Sequence, residues 1–264
     1  MSTQPIGVFD SGVGGLSILR ALRAELPHED FIYLADSAHA PYGERDDAHV
    51  IGRARALTQD LLERGAKSVV VACNTATAAA IHLLRAEYPG LPIGGVEPAL
   101  KPAVLASRTR RIGVMATRGT LASAKFGALL DSLKDQATFV LQPCDGLAEA
   151  VEQHMVRGDT TAVTQLCATH AQAMGAFGTA EGQIDTLVLG CTHYPFAYQQ
   201  LRAQVGPQVR MMDTGEPVAR RTRRLLQEPG LLNASQSAGR LTLESTGDMA
   251  ALTRAAEAWL LPDR

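Results

Sequence analysis

The sequence predicts an α/β protein of two similar domains. Each has a mostly parallel sheet flanked by helices, and the two are related by a pseudo-two-fold across a cleft that holds the site. Three observations carry this reading. Strand-like and helix-like segments alternate along the whole chain, the pattern of parallel sheets covered on both faces. A short repeat opens each half: Ile6-Gly7-Val8 leads to Asp10-Ser11-Gly12, and Ile112-Gly113-Val114 leads to Thr117-Arg118-Gly119-Thr120. Two cysteines occupy matching settings, Ser68-Val69-Val70-Val71-Ala72-Cys73-Asn74-Thr75 and Thr186-Leu187-Val188-Leu189-Gly190-Cys191-Thr192-His193. The cysteines lie about a dozen residues further apart than the strand openers, and an extra helix near residue 160 accounts for the difference.

The elements follow in order. Ile6–Phe9 reads as a strand and Leu16–Leu26 as a helix stopped by Pro27, because proline cannot continue a helix. Phe31–Ala35 is a strand. Asp46 and Asp47 can cap a long helix ending at Gly65. Ser68–Ala72 has the β-branched content of a buried strand, and an Ala-rich helix runs on to Tyr88. Ile93–Val96 is a strand, and Pro98 opens a short helix. The order continues with Arg111–Met115 (strand), Ser123–Leu133 (helix), Thr138–Leu141 (strand), and helices at Leu147–Val156 and Thr160–Ala176. Then come Thr186–Leu189 (strand), Phe196–Val205 (helix), Val209–Met212 (strand), Glu216–Gln227 (helix), Gly239–Ser245 (strand) and Met249–Leu260 (helix). Crossovers at Val96-Glu97-Pro98 and near Gly206-Pro207 give domains of 1–97 plus 207–264, and 98–206.

Composition narrows the function. The chain has 264 residues and a net charge of −2, which offers no electrostatic footprint for nucleic acid. The cluster Arg220, Arg221, Arg223, Arg224 reads as a solvated helix face. No apolar run approaches the roughly 20 residues of a membrane span. The N-terminal Met1-Ser2-Thr3-Gln4-Pro5 lacks the basic region of a signal peptide, so the cytoplasm is expected. The remaining cysteines, Cys144 and Cys167, read as inert thiols; no C-x-x-C spacing indicates a metal site.

Each of the paired cysteines is expected to emerge at the C-terminal end of a strand, near a helix N-terminus. Ligands gather there in open α/β sheets, and the helix dipole favours thiolate. The turn Asp10-Ser11-Gly12-Val13-Gly14-Gly15 follows a strand and exposes backbone N–H groups to an anion. Ser17 stands where a dinucleotide fingerprint needs its third glycine, so a small carboxylate fits better than a nucleotide. Asp36-Ser37-Ala38-His39-Ala40-Pro41-Tyr42-Gly43 forms a polar loop at the same end of the sheet. Tyr42 and Gly43 can offer donors to a ligand, while Asp36 and Ser37 also fit a plain turn. Asn74, Thr75, Thr192 and His193 supply amide, hydroxyl and imidazole groups beside the two thiols.

These motifs, with Gly113-Val114-Met115-Ala116-Thr117, Thr120, Gly190-Cys191-Thr192-His193-Tyr194-Pro195 and Asp213-Thr214-Gly215, resemble the glutamate racemases of the aspartate/glutamate racemase superfamily. The resemblance runs through most of the chain. It implies that Cys73 and Cys191 are acid–base thiols helped by Asp10 and His193. It assigns substrate contacts to Ser11, Tyr42, Gly43, Asn74, Thr75 and Thr192, with Thr117 and Thr120 nearby. Glu152 matches a family glutamate near the second cysteine, although Pro143-Cys144-Asp145-Gly146 departs from the commoner pattern. The resemblance also implies a homodimer and a role in making D-glutamate for peptidoglycan. Some such enzymes bind DNA gyrase; nothing in this charge pattern points that way.

Two thiols suit a 1,1-proton transfer, because hydrogen must leave one face of Cα and return to the other. Near-attack geometry then sets the sulfurs roughly 7 Å apart across the substrate. No cofactor is needed, and none of Lys67, Lys101, Lys125 and Lys134 sits in a pyridoxal-phosphate context. A cysteine hydrolase with Cys73 as nucleophile is the rival reading, and it leaves the second thiol unused.

Overall fold

The computed structural model describes residues 2–260. Its strands are β1 (Ile6–Asp10), β2 (Phe31–Ala35), β3 (Ser68–Val71), β4 (Ile93–Gly95), β5 (Arg111–Ala116), β6 (Thr138–Pro143), β7 (Thr186–Gly190), β8 (Arg210–Met212) and β9 (Leu241–Ser245). The helices are α1 (Leu16–Glu25), α2 (Asp47–Glu63), α3 (Asn74–Glu87), α4 (Leu100–Ala106), α5 (Arg118–Ala122), α6 (Ala124–Asp131), α7 (Leu147–Arg157), α8 (Thr161–Ala173), α9 (Tyr198–Val205), α10 (Gly215–Gln227) and α11 (Met249–Leu260). No helix among the described residues is long and apolar enough to cross a membrane.

The strands form two sheets, ordered β4-β3-β1-β2-β9 and β6-β5-β7-β8. Every pairing in both is parallel. Reading the second sheet backwards matches β8-β7-β5-β6 to β4-β3-β1-β2, so β5 is the counterpart of β1 and β7 that of β3. The repeated Ile-Gly-Val segments therefore occupy equivalent strands, and Cys73 and Cys191 follow equivalent strands. One helix, α2, connects β2 to β3, whereas two, α7 and α8, connect β6 to β7. That second helix is the insertion expected near residue 160.

The strands β1, β3 and β7 are buried on both faces, with every residue buried. Their runs of Ile, Val, Leu and Phe form a core that drives the folding of both halves. Capping fixes several helix starts. Asp46 accepts from the His49 amide at 2.8 Å to begin α2, and Gly65 beyond its end takes φ +80°, a conformation glycine adopts without penalty.

Four details depart from the sequence expectations. The expected return near Gly206-Pro207 precedes β8, yet β8 pairs with β7 in the second sheet, so that sheet runs through Met212. The Ser123–Leu133 helix is α6, which the Ser123 hydroxyl caps by accepting from the Phe126 amide at 3.1 Å, but an unexpected short helix, α5, precedes it. The helix expected from Pro98 begins at Leu100. The helix expected from Phe196 begins at Tyr198, after a tight 3-10 turn over Tyr194–Ala197.

Candidate active site

The C-terminal ends of β1, β2 and β3 face those of β5 and β7, so the loops after these strands meet between the halves. Hydrogen bonds span the junction. Thr192 Oγ1 donates to Asp10 Oδ2 at 3.1 Å. The Val13 amide donates to Glu152 Oε1 at 2.7 Å. Thr75 and Thr117 share a hydroxyl bond of 3.0 Å, and Thr117 donates on to Thr120 at 2.9 Å.

Cys73 is the N-cap of α3 and its Sγ accepts from the Ala76 amide at 3.5 Å. The thiol is 5% exposed. Burial and the neighbouring Asp10 charge push its pKa well above the ordinary thiol value, and the capping bond only partly opposes them. The expected depression by the helix N-terminus is therefore overridden. Here the cost of burying a charge exceeds the dipole's help.

Cys191, 7% exposed, does not sit on an α-helix N-terminus. A turn and then the 3-10 segment follow it. Its local partner is His193 Nδ1, 3.7 Å from Sγ. His193 Nε2 lies 2.6 Å from Glu152 Oε1. Burial lowers the imidazole pKa, but the bonds to Cys191 and Glu152 outweigh it and hold His193 well above its usual value. The second thiol thus stands beside a buried imidazole whose protonated form its neighbours favour.

Asp10 lies between the two centres and is fully buried. Its Oδ1 accepts from the Ser11 amide at 2.7 Å. Burial raises its pKa, while His193, the Ser11 amide and Cys73 pull the other way. The glycines of the turn exist for contact. A Cβ on Gly12 would lie 1.9 Å from Glu152 Oε1, and one on Gly14 would lie 2.4 Å from His193 Nδ1. No side chain fits there while Glu152 and His193 keep their places.

Asp36 serves the scaffold. It accepts from Arg53 Nε and Nη2 at 2.8 and 2.9 Å, from the Tyr42 hydroxyl at 2.5 Å and from Thr246 at 3.0 Å. His39 Nδ1 lies 3.0 Å away. Burial raises its pKa, but these bonds outweigh it and hold the carboxylate below its ordinary range. Tyr42 is consequently occupied by Asp36, while its neighbour Gly43 packs against Thr117, where a Cβ would come within 2.7 Å.

Asn74 is the opposite case. Its side chain is buried, yet neither Nδ2 nor Oδ1 has a hydrogen-bond partner. Unpaired buried amides cost free energy, so this one is poised for a polar ligand. Ser11 and Thr75 are buried nearby in the chain. The structure thus brings Asp10, Ser11, Cys73, Asn74, Thr75, Thr117, Thr120, Glu152, Cys191, Thr192 and His193 to one junction. Tyr33 was not anticipated: its buried hydroxyl donates to Gly12 O at 2.6 Å and props the glycine turn. Arg53 was missed likewise. Both are ordinary core-helix or strand positions in the sequence, and no local signal marks them.

Fold and site together define a class: a two-lobed parallel α/β protein with a thiol at matching strand ends of the two lobes, Cys73 beside the buried Asp10 and Cys191 beside His193, which Glu152 holds. The chain belongs to the Asp/Glu/Hydantoin racemase family, whose model matches residues 16–222. It is 48% identical over 248 residues to a glutamate racemase of Ectopseudomonas mendocina, covering 94% of this chain and 91% of that one. A glutamate racemase of Ralstonia pickettii is 47% identical over 93% of this chain and 84% of its own length. Among solved structures, a glutamate racemase isoform of Bacillus anthracis superposes with a TM-score of 0.85 at 31% identity, covering 98% of this chain and 95% of that one. The Escherichia coli glutamate racemase, in complex with L-glutamate and the activator UDP-MurNAc-Ala, gives 0.82 at 28% identity over 97% and 94%.

Proposed function

We propose that this protein interconverts L- and D-glutamate by removing the Cα proton with one thiolate and returning a proton from the other thiol. The observation that carries this reading is the pairing of Cys73 and Cys191 at equivalent strand ends, joined through the Asp10–Thr192 contact. The names of its relatives support glutamate as the substrate. The product D-glutamate is assigned to peptidoglycan synthesis, and the enzyme to the cytoplasm as a homodimer.

The chemistry follows from the site. Asp10 sits beside Cys73 and takes up or returns its proton as that thiol cycles. His193, held 3.7 Å from Cys191 Sγ, is the group placed to exchange a proton with that thiol. Removing a Cα proton puts charge onto the substrate carboxylate. The Asn74 amide, and the hydroxyls of Ser11, Thr75 and Thr192 once rotated away from their present acceptors, are the groups to hold it, worth more in a closed, dry site than in water. Thr117 and Thr120 support Thr75 from the other lobe. No pyridoxal phosphate is required. Lys67 is paired with Glu29 at 2.6 Å and Lys125 is paired with Glu97, so neither is free for an imine.

The test is circular dichroism of L- and D-glutamate incubated with pure protein and no additive. Both signals should decay to the same racemic endpoint. Persistence of either enantiomer, or dependence on added pyridoxal phosphate, would refute the reading.

A further inference from the structure

Ser17 interrupts the glycine motif and has no part in the chemistry above. It lies in the first turn of α1 and is buried. Its Oγ stands 2.8 Å from Gly14 O, in its own turn, and 3.0 Å from Thr192 O, across the junction. The Thr192 carbonyl belongs to the peptide that joins Thr192 to His193. Fixing that plane fixes the direction in which the imidazole leaves the chain. From there His193 must reach Cys191 with Nδ1 and Glu152 with Nε2. Thr192 is thus held twice from the first lobe, by Asp10 on its hydroxyl and by Ser17 on its carbonyl. Cys73 has its own support, the α3 N-terminus in its own lobe.

We propose that Ser17 is a positioning residue that aligns the Cys191–His193 side of the site across the junction, and leaves the Cys73 side alone. This rests on the two-thiol reading above. It has a consequence that loss of general stability would not produce. Enantiomers are equally stable, so kcat/KM must stay equal in the two directions whatever the variant. The two proton transfers can nevertheless become unequal in height. Raising only the Cys191 barrier makes its step more rate-limiting for the enantiomer it deprotonates, and less so for the enantiomer deprotonated by Cys73.

The experiment measures primary deuterium isotope effects on kcat/KM with 2-deuterated L- and D-glutamate, for wild type and Ser17→Ala. The expected result is a fall in kcat/KM of about tenfold, the scale of one buried hydrogen bond, with the isotope effect rising for one enantiomer and falling for the other. Ser17→Thr keeps the hydroxyl and should restore the wild-type pattern. If Ser17→Ala does not fold, Ser17→Val against Ser17→Thr makes the same comparison at matched shape. Isotope effects that stay unchanged, or move together for both enantiomers, overturn the proposal. Racemisation surviving in both Cys73→Ala and Cys191→Ala would instead defeat the two-thiol reading on which it rests.

Discussion

Replacing Glu152 with glutamine probes the acid–base cluster most revealingly. One carboxylate oxygen, Oε1, accepts from both the Val13 amide and His193 Nε2, at 2.7 and 2.6 Å. A glutamine keeps the shape and loses the charge. With its carbonyl oxygen in the Oε1 position it can still accept from both donors, so the change isolates the charge. A hydrogen bond to a charged group contributes about 1.5–3 kcal/mol, so kcat should fall about 10- to 100-fold, since each 1.36 kcal/mol is tenfold. The pH dependence gives the sharper signature. Glu152 is one of the groups that hold the His193 pKa up against burial, so its removal lowers that pKa and shifts the alkaline limb of the kcat profile toward acid. The stability effect has a definite sign. A histidine whose folded pKa is raised contributes stability that is complete below its unfolded value of about 6.5 and is lost as pH rises through the folded value. Thermal melts should therefore show the largest deficit of E152Q at about pH 6, narrowing at alkaline pH. An unshifted alkaline limb, with a deficit independent of pH, would refute the argument.

Other outcomes follow from the same geometry. Asp36→Asn should lower thermal stability at neutral pH by about 1.5–3 kcal/mol, the scale of a hydrogen bond to a charged group, because the partly exposed Arg53 loses its charge partner. The depressed Asp36 pKa contributes stability above the unfolded carboxylate value that is lost as pH falls, so the gap between variant and wild type should close in acid melts. Asn74→Ala should leave the melting temperature equal or higher, since it removes an unpaired buried amide. The same change should raise KM for glutamate about tenfold or more in steady-state assays. Cys167, whose thiol burial pushes up to about 12, should resist iodoacetamide in the folded protein at pH 8, as read by mass spectrometry.

Much of this was legible in the sequence because its signals are local. The β-branched runs before Cys73 and Cys191 dictated buried strands, and the Ile-Gly-Val repeat marked equivalent positions in two parallel sheets. Short elements were harder. Strand β8 has three residues, too few to show a period, and only its pairing assigns it to the second sheet. The start of α9 was blurred because Pro195 suits a 3-10 turn as well as a helix N-terminus. The electrostatics were the least legible. A helix N-terminus beside Cys73 was readable, but the opposing burial and the Asp10 charge come from packing. Contacts such as Ser17 to Thr192, or Val13 to Glu152, join residues far apart in the chain. Asp36 looked like a loop residue because Arg53 and Thr246 reach it from elements that nothing local connects to it.

The central claim is that each lobe contributes one proton-transfer group to a single substrate. The direct measurement is racemisation of glutamate in D₂O by Cys73→Ala and Cys191→Ala, each folded as judged by melting, with chirality and Cα deuterium followed together. Each variant should lose interconversion by at least about a thousandfold, the scale of a lost acid–base group. Interconversion at the wild-type rate in either one would contradict the account.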